Sequence, residues 1–292
     1  MFMLFMLIVC LVCFLVSQHV IGKRKEEPKS RDNDNVVLIH ELKMAMKKGD
    51  LTLFYQPILN KKGEIVSVEA LLRWNHDQYK FVSPELVIDL AEKSGLIFDL
   101  GEWVLRESCH QLKDWHQQGL ESLKLNVNLS PMQFLDNTLV SRVEAVLQEV
   151  DLSSKYLELE LTETFDIFSI KNSIDQLYKL KAIGVSIAID DFGMGFSSFK
   201  CIHQLPIDQI KIDRSFVWKL HADDYKSHAI IKSIIYLAKE LQLEVVAEGI
   251  ETSKHYQVLA EYACDKFQGY YFHKPLSHMD FQNQFILQTA KK

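Results

Sequence analysis

The spacing of apolar and polar positions changes along the chain, and each change marks an element. Residues 52–59 are rich in β-formers. Asn60-Lys61-Lys62-Gly63 follows as a turn signal, and residues 65–72 form a second β-rich run. Together they predict a hairpin. Ser83-Pro84-Glu85 offers a cap, a first-turn proline and an acidic first turn to a helix that closes at Gly95. Another helix is predicted over about 99–118, stopping at Gly119.

From there strands and helices alternate. Strands are predicted over 123–129, 157–161, 185–189, 209–212, 244–247 and 266–272. Helices are predicted over about 139–150, 170–183, 198–204, 223–241 and 253–262. Eight strands, the last six alternating with helices, predict an α/β fold of the TIM-like (β/α)8 barrel type. The two strands of a hairpin must be antiparallel. The barrel is therefore expected to carry one antiparallel strand at its start. Tyr270, Tyr271 and Phe272 end the last predicted strand, which is expected to carry two of the three into the core.

The N-terminus has no such alternation. Residues 1–16 are wholly apolar, and no charged side chain appears before Lys23. A run of this length can span a bilayer. It lacks the basic n-region and small-residue cleavage site of a signal peptide. Lys23-Arg24-Lys25 flanks it, which places the following chain on the cytoplasmic side. The expectation is an N-terminal transmembrane helix over 1–22, a juxtamembrane linker over 23–35 and a catalytic domain over 36–292. That describes a single-pass protein of the inner membrane. Cys10 and Cys13 lie within the apolar run and read as membrane-facing residues.

Charge and composition narrow the function classes. Thirty-three basic against 39 acidic residues give a net charge of −6, which argues against DNA or RNA as a partner. A small phosphate ligand remains compatible if metal ions neutralise a carboxylate-lined site. Five scattered cysteines form no disulfide framework and fit a reducing compartment. None of the 11 histidines has metal-site spacing. His203, His273 and His278 read as surface or loop residues, and Asp223 or Asp224 as the cap of the next helix.

Chemistry in such barrels sits at the C-terminal ends of the strands. There the sequence repeatedly places polar residues: Glu69, Asn128, Glu160, Asp190-Asp191, Lys211 with Asp213, Glu248 and Gln268. So many carboxylates on one rim repel one another unless cations sit among them. Oxygen ligands without a Cys or His cluster favour Mg²⁺ or Mn²⁺ over zinc. The adjacent Asp190 and Asp191 suit a pair of ions, an arrangement common in phosphodiester cleavage.

The motifs around these residues resemble the EAL-domain cyclic-di-GMP phosphodiesterases. The signature Glu69-Ala70-Leu71 lies within VEALLRW, and YQPI begins at Tyr55. NVNLSP starts at Asn126, ELTE at Glu160, DDFG at Asp190, KIDRSFV at Lys211, AEGIE at Ala247 and QGYYF at Gln268. The resemblance implies that Glu69, Asn128, Glu160 and Asp190 ligate one metal ion, and that Asp190, Asp191 and Glu248 surround a second. It implies that Lys211 orients or helps deprotonate the attacking water, that Gln268 stands beside it, and that Glu163 steadies the loop after the fifth strand. Arg73 suits a ligand phosphate by its fork of donors. Gln56 and Leu71 match substrate-contacting positions, and Asp213 is placed with them.

The implied activity is hydrolysis of c-di-GMP to linear pGpG by a homodimer. Met194 and Phe196 stand where the family usually has threonine and tyrosine, and Asp77 replaces a usual proline. The alternatives are a non-catalytic EAL receptor for c-di-GMP or a protein, and a barrel enzyme acting on another phosphodiester.

Overall fold

The computed structural model describes residues 29–76, 80–162, 172–194, 198–220 and 224–286. The chain divides into two compact units, Met1–Glu41 and Leu42–Lys292. The described part of the first is helical, as the start of α1 (Lys29–Lys48). Part of the stretch expected to be a linker is thus helix. The transmembrane helix expected over 1–22 lies outside the described residues. Among the described residues, no helix is long and apolar enough to cross a membrane.

The second unit is built on the hairpin β1 (Leu51–Asn60) and β2 (Ile65–His76). Its turn follows from Asn60, whose Oδ1 accepts the backbone N–H of Lys62 at 2.8 Å and of Glu64 at 3.1 Å. Short strand β3 (Lys80–Val82) folds back on β2. Helix α2 (Pro84–Ser94) starts as its sequence predicts: Ser83 Oγ accepts from Leu86 N, proline occupies the first turn, and Gly95 closes the helix at φ 75°. Next come α3 (Ile97–Gln117), β4 (Lys124–Asn128), α4 (Leu139–Val150), β5 (Leu157–Thr162), α5 (Ser173–Ala182), β6 (Ser186–Phe192) and α6 (Ser198–Gln204). The chain continues through β7 (Gln209–Ile212), α7 (Arg214–Val217), α8 (Tyr225–Glu240), β8 (Glu244–Ala247), α9 (Ser253–Glu261), β9 (Lys266–Gln268), β10 (Leu276–Ser277) and α10 (His278–Phe285). Asp224 caps α8 by accepting from Ser227 N.

Eight strands close in the order β1-β2-β4-β5-β6-β7-β8-β9 and back to β1. β1 is antiparallel to both neighbours, and the other neighbouring pairs run parallel. The barrel therefore contains the one antiparallel strand that the hairpin requires. The two short strands β3 and β10 hang on β2 and β1 and escaped the sequence reading. Two or three residues give too few alternations to register as a period.

The last strand is shorter than predicted. It stops at Gln268, and Tyr270 and Tyr271 are exposed instead of entering the core. Gly269 turns the chain away, and Tyr271 packs on Tyr256 and Phe272 outside the barrel.

The hydrophobic core is the shell between barrel and helices. Val68, Leu125, Leu159, Ile187, Ile210, Val245 and Phe267 point outward from their strands and are almost completely buried. Helix faces such as Leu105, Cys109 and Leu112 of α3, or Ile231 and Ile235 of α8, close over them. Cys109, Cys201 and Cys264 are buried free thiols.

Candidate active site

Strand register explains why polar residues gather in the lumen. Residues paired across neighbouring strands point to the same face of a sheet. Gln56 pairs with Glu69, Glu69 with Asn126, and Asn126 with Glu158. Asn128 pairs with Glu160, Glu160 with Ala188, Ala188 with Gln209, and Gln209 with Glu244. Four strands also repeat their polarity at i and i+2: Asn126 and Asn128, Glu158 and Glu160, Gln209 and Lys211, Lys266 and Gln268. The lumen of a barrel of this type is usually packed with branched apolar side chains. Here it is a stack of polar layers.

Lys211 is the hub of the layer nearest the rim. Its side chain is fully buried, and Nζ lies 2.7 Å from Glu160 Oε2 and 2.6 Å from Glu248 Oε1. Glu69 Oε2 and Asp190 Oδ1 are each 3.4 Å away. Glu69 is held from two further sides: Asn128 Nδ2 donates to Oε1 at 2.7 Å and Gln268 Nε2 to Oε2 at 2.6 Å. One cation thus faces four carboxylates.

Successive residues of a regular strand point to opposite faces, yet Asp190 and Asp191 both belong to the site. A register irregularity between Ile189 and Phe192 in the pairing with β7 makes this possible, as bulges do when they re-aim a side chain. Asp191 adopts a left-handed backbone at φ 53°, and its N–H donates to Asp190 Oδ1 at 2.9 Å. Carboxylate oxygens of Asp190, Asp191 and Glu248 lie within 4.8 Å of one another.

The electrostatics follow from burial against pairing. Burial opposes the charge of Lys211, but Asp190, Glu160, Glu248 and Glu69 outweigh it and hold its ammonium well above the usual range. Burial, then repulsion by Asp190, pushes Glu248 up to about 8. Burial, then Asp190 and Asp213, pushes Asp191 up to about 6. Burial raises Asp190 and Glu160 as well. Glu69 is driven up by burial too, but Lys211 and the amides of Gln268 and Asn128 bring it below its ordinary value.

The site opens into a cavity of about 750 Å³. Glu69, Asp190, Glu248, Gln56 and Gln268 line it together with Leu71, Arg73, Arg214, Trp218 and Tyr270. Gln56 is fixed by donating Nε2 to His273 O at 3.2 Å. Arg73 lies over the Phe54 ring, 5.7 Å from its centroid.

Most of the residues singled out in the sequence are therefore brought together. Asp213 is placed differently: its Oδ1 accepts from Ser215 N at 2.9 Å and caps α7. It acts on the site by pushing up the Asp191 carboxyl, and it is not among the cavity-lining residues. Glu163 lies outside the described residues, as do Phe196 and Asp77.

A deeper layer went unrecognised in the sequence. Asn126 Nδ2 donates to both Glu158 Oε1 and Glu160 Oε1, Gln209 Nε2 donates to Glu158 Oε1, and Lys266 Nζ donates to Gln209 Oε1 at 2.6 Å. The i, i+2 polarity of four strands was the available signal. It was hidden because each inner residue precedes a more conspicuous rim residue by two.

The donor set fits hard divalent cations. Glu69, Glu160, Asp190, Asp191 and Glu248 offer only oxygen, with no sulfur or imidazole among them. Gln268 Oε1 is also a buried oxygen without a hydrogen-bond donor.

The sequence profile of the EAL domain matches residues 39–275. The chain belongs to the EAL domain family. The MucR bifunctional diguanylate cyclase/cyclic di-GMP phosphodiesterase of Pseudomonas aeruginosa is 39% identical over 244 residues, covering 83% of this chain and 36% of that protein. The cyclic di-GMP phosphodiesterase NbdA of the same organism is 39% identical over 247 residues, covering 84% and 31%. The chain thus spans about a third of the length of these two relatives. A solved c-di-GMP complex of the PaMucR phosphodiesterase has a TM-score of 0.79 at 39% identity, covering 84% of this chain and 99% of that one. A cAMP- and cyclic-di-GMP-bound form of the EAL enzyme Bd1971 has a TM-score of 0.81 at 34% identity, covering 95% and 74%.

Proposed function

We propose that this EAL domain is a metal-dependent phosphodiesterase that opens c-di-GMP to linear pGpG. The observation that carries the reading is the complete polar rim around Lys211, set at the base of a cavity large enough for a nucleotide. Relatives named as cyclic di-GMP phosphodiesterases and a c-di-GMP complex of similar fold support the choice of substrate.

Glu69, Asn128, Glu160 and Asp190 would hold one Mg²⁺ or Mn²⁺, and Asp190, Asp191 and Glu248 a second. When bound, such ions acidify water and offset the charge of a phosphodiester. The chain supplies the rest. Lys211 keeps its proton at neutral pH and is a fixed cation beside the reacting phosphate, so it stabilises developing negative charge without reorganising. Asp191, whose carboxylate lies beside those of Asp190 and Glu248, can hold or orient a water there. Gln268 and Asn128 fix the orientation of Glu69. Arg73 offers its fork of donors to a phosphate oxygen of the substrate.

Incubating the protein with c-di-GMP and Mg²⁺ or Mn²⁺ should yield pGpG. Binding without product under every metal would instead make the chain a receptor. Glu69→Ala should abolish turnover and weaken metal binding while far-UV circular dichroism stays unchanged. Retained turnover in that variant would remove Glu69 from the ligand set. The apolar run over 1–16 supports a further proposal, that a membrane tether holds the domain in the cytoplasm. Partition of the full chain into a carbonate-washed membrane fraction tests it.

A further inference from the structure

Resting on the c-di-GMP reading above, we propose that Trp218 is the stacking platform for one guanine base of the substrate, with Arg214 extending the stack. Trp218 follows α7 and is 40% exposed, although it is the largest kind of apolar side chain. It lines the same cavity as Glu69, Asp190 and Glu248. Its position is fixed on two sides. The indole Nε1 donates to Gly249 O at 3.0 Å, which ties the ring to the residue that follows Glu248. The Arg214 guanidinium lies 5.2 Å from the ring centroid.

Gly249 makes this approach possible. Its φ is +63°, and a Cβ there would come within 2.3 Å of Arg214 Cβ and 3.2 Å of Trp218 Nε1. An aromatic ring is thus held rigidly at the mouth of a carboxylate-lined site without being buried by the protein. The chemistry that suits it is a planar base attached close to the phosphodiester. A cyclic dinucleotide presents a purine on each side of the scissile phosphate. Stacking on an aromatic side chain tolerates any base, and a cation adds to it.

The test uses the full chain, c-di-GMP as probe, and the variants Trp218→Ala and Trp218→Phe. Trp218→Ala should raise KM by about 10-fold while changing kcat by less than about 3-fold, the size expected for loss of one stacked base. Trp218→Phe keeps a stacking ring but loses the bond to Gly249, and should restore most of the affinity. Substrate binding should quench tryptophan fluorescence in the wild type. The quench should vanish in Trp218→Phe, although Trp74, Trp103 and Trp115 remain.

An unchanged KM in Trp218→Ala, or a quench that persists in Trp218→Phe, overturns the proposal. So does a fall in kcat at constant KM that phenylalanine fails to rescue, which would make Trp218 a support for the Glu248 segment. If the wild type binds c-di-GMP without cleaving it, Kd replaces KM and decides the stack just as well. If the wild type neither binds nor cleaves it, the functional reading fails and the stack falls with it.

Discussion

Lys211 Nζ and Glu248 Oε1 stand 2.6 Å apart in the lumen, joining the body of β7 to the segment just after β8. The lysine is fully buried and three other carboxylates share it. Lys211→Met should therefore do two separable things. Turnover should fall by at least about 10²-fold, because a fixed positive charge at the reacting phosphate is lost. The metal-free protein should lose about 3–5 kcal/mol at pH 8, since breaking a buried ion pair leaves uncompensated charge. At pH 5 the loss should shrink as the carboxylates take up protons. Urea midpoints of the two proteins at both pH values check this.

Raised carboxyls shape the pH response, Asp191 and Glu248 among them. Asp191 and Glu248 are raised to about 6 and about 8 in the folded state, above their ordinary values. A carboxyl raised on folding binds its proton more tightly in the native state. Its stabilising contribution is complete below the unfolded-state value and is lost as pH rises through the folded one. The metal-free protein should thus lose thermal stability between about pH 4 and pH 8. Divalent cations compete with those protons. The upward shift of Tm on adding Mg²⁺ or Mn²⁺ should therefore be larger at pH 8.5 than at pH 6. An equal shift at both would contradict the assignment of Asp191 and Glu248 as ligands.

The inner polar layer should matter for stability and rate together. Gln209→Leu removes an acceptor of Lys266 and a donor to Glu158, while Glu158 keeps Asn126 and Lys266 keeps Glu244, at a cost of about 2–4 kcal/mol for two buried hydrogen bonds to charged groups. Because Asn126 links Glu158 to Glu160, kcat should fall as well, by about 10-fold. Its neighbour Ile210 faces the outer shell and is fully buried. Ile210→Val should cost about 1 kcal/mol and leave kcat unchanged. Equal kinetic effects of the two substitutions would deny the inner layer a positioning role.

Gly269 is a narrower point of failure. A Cβ there would lie 2.2 Å from Ile250 O and 2.3 Å from Ile250 N. Both are backbone atoms and cannot rotate away. Ile250 N donates to Gln268 O, and Ile250 O accepts from Tyr271 N at 2.8 Å. Gly269→Ala should break this crossing, displace Gln268 from Glu69, and lower Tm by more than any conservative change in the outer shell.

The sequence made the rim readable but not the layer beneath it. Glu69, Glu160 and Glu248 stand out because strand after strand delivers a polar residue to the same rim, which isolated helix caps do not explain. Glu158 and Gln209 lie earlier in their strands, where the alternation rule assigns them to a solvated face. That rule assumes that the face opposite the hydrophobic one meets water. In a closed barrel it meets the lumen, so only closure turns those positions into buried ones. Asp213 shows the converse limit. A carboxylate beside a helix start can serve the backbone or a ligand, and the bond to Ser215 N shows the first use, which the sequence did not reveal. The fate of Tyr270 and Tyr271 depended on Gly269, whose turn overrides the strand preference of the aromatics.

The polar lumen bears finally on how the chain keeps its alignment. In a barrel filled with leucine and valine, sliding one strand past its neighbour by one residue exchanges apolar for apolar on part of its length. Here the same slip would carry Glu158 and Glu160 into the oily shell and bring Leu157, Leu159 and Leu161 to face Lys211. Charge pairing in the lumen therefore acts as a lock on strand alignment. A sequence that misthreads loses the fold in the same step that it loses the site.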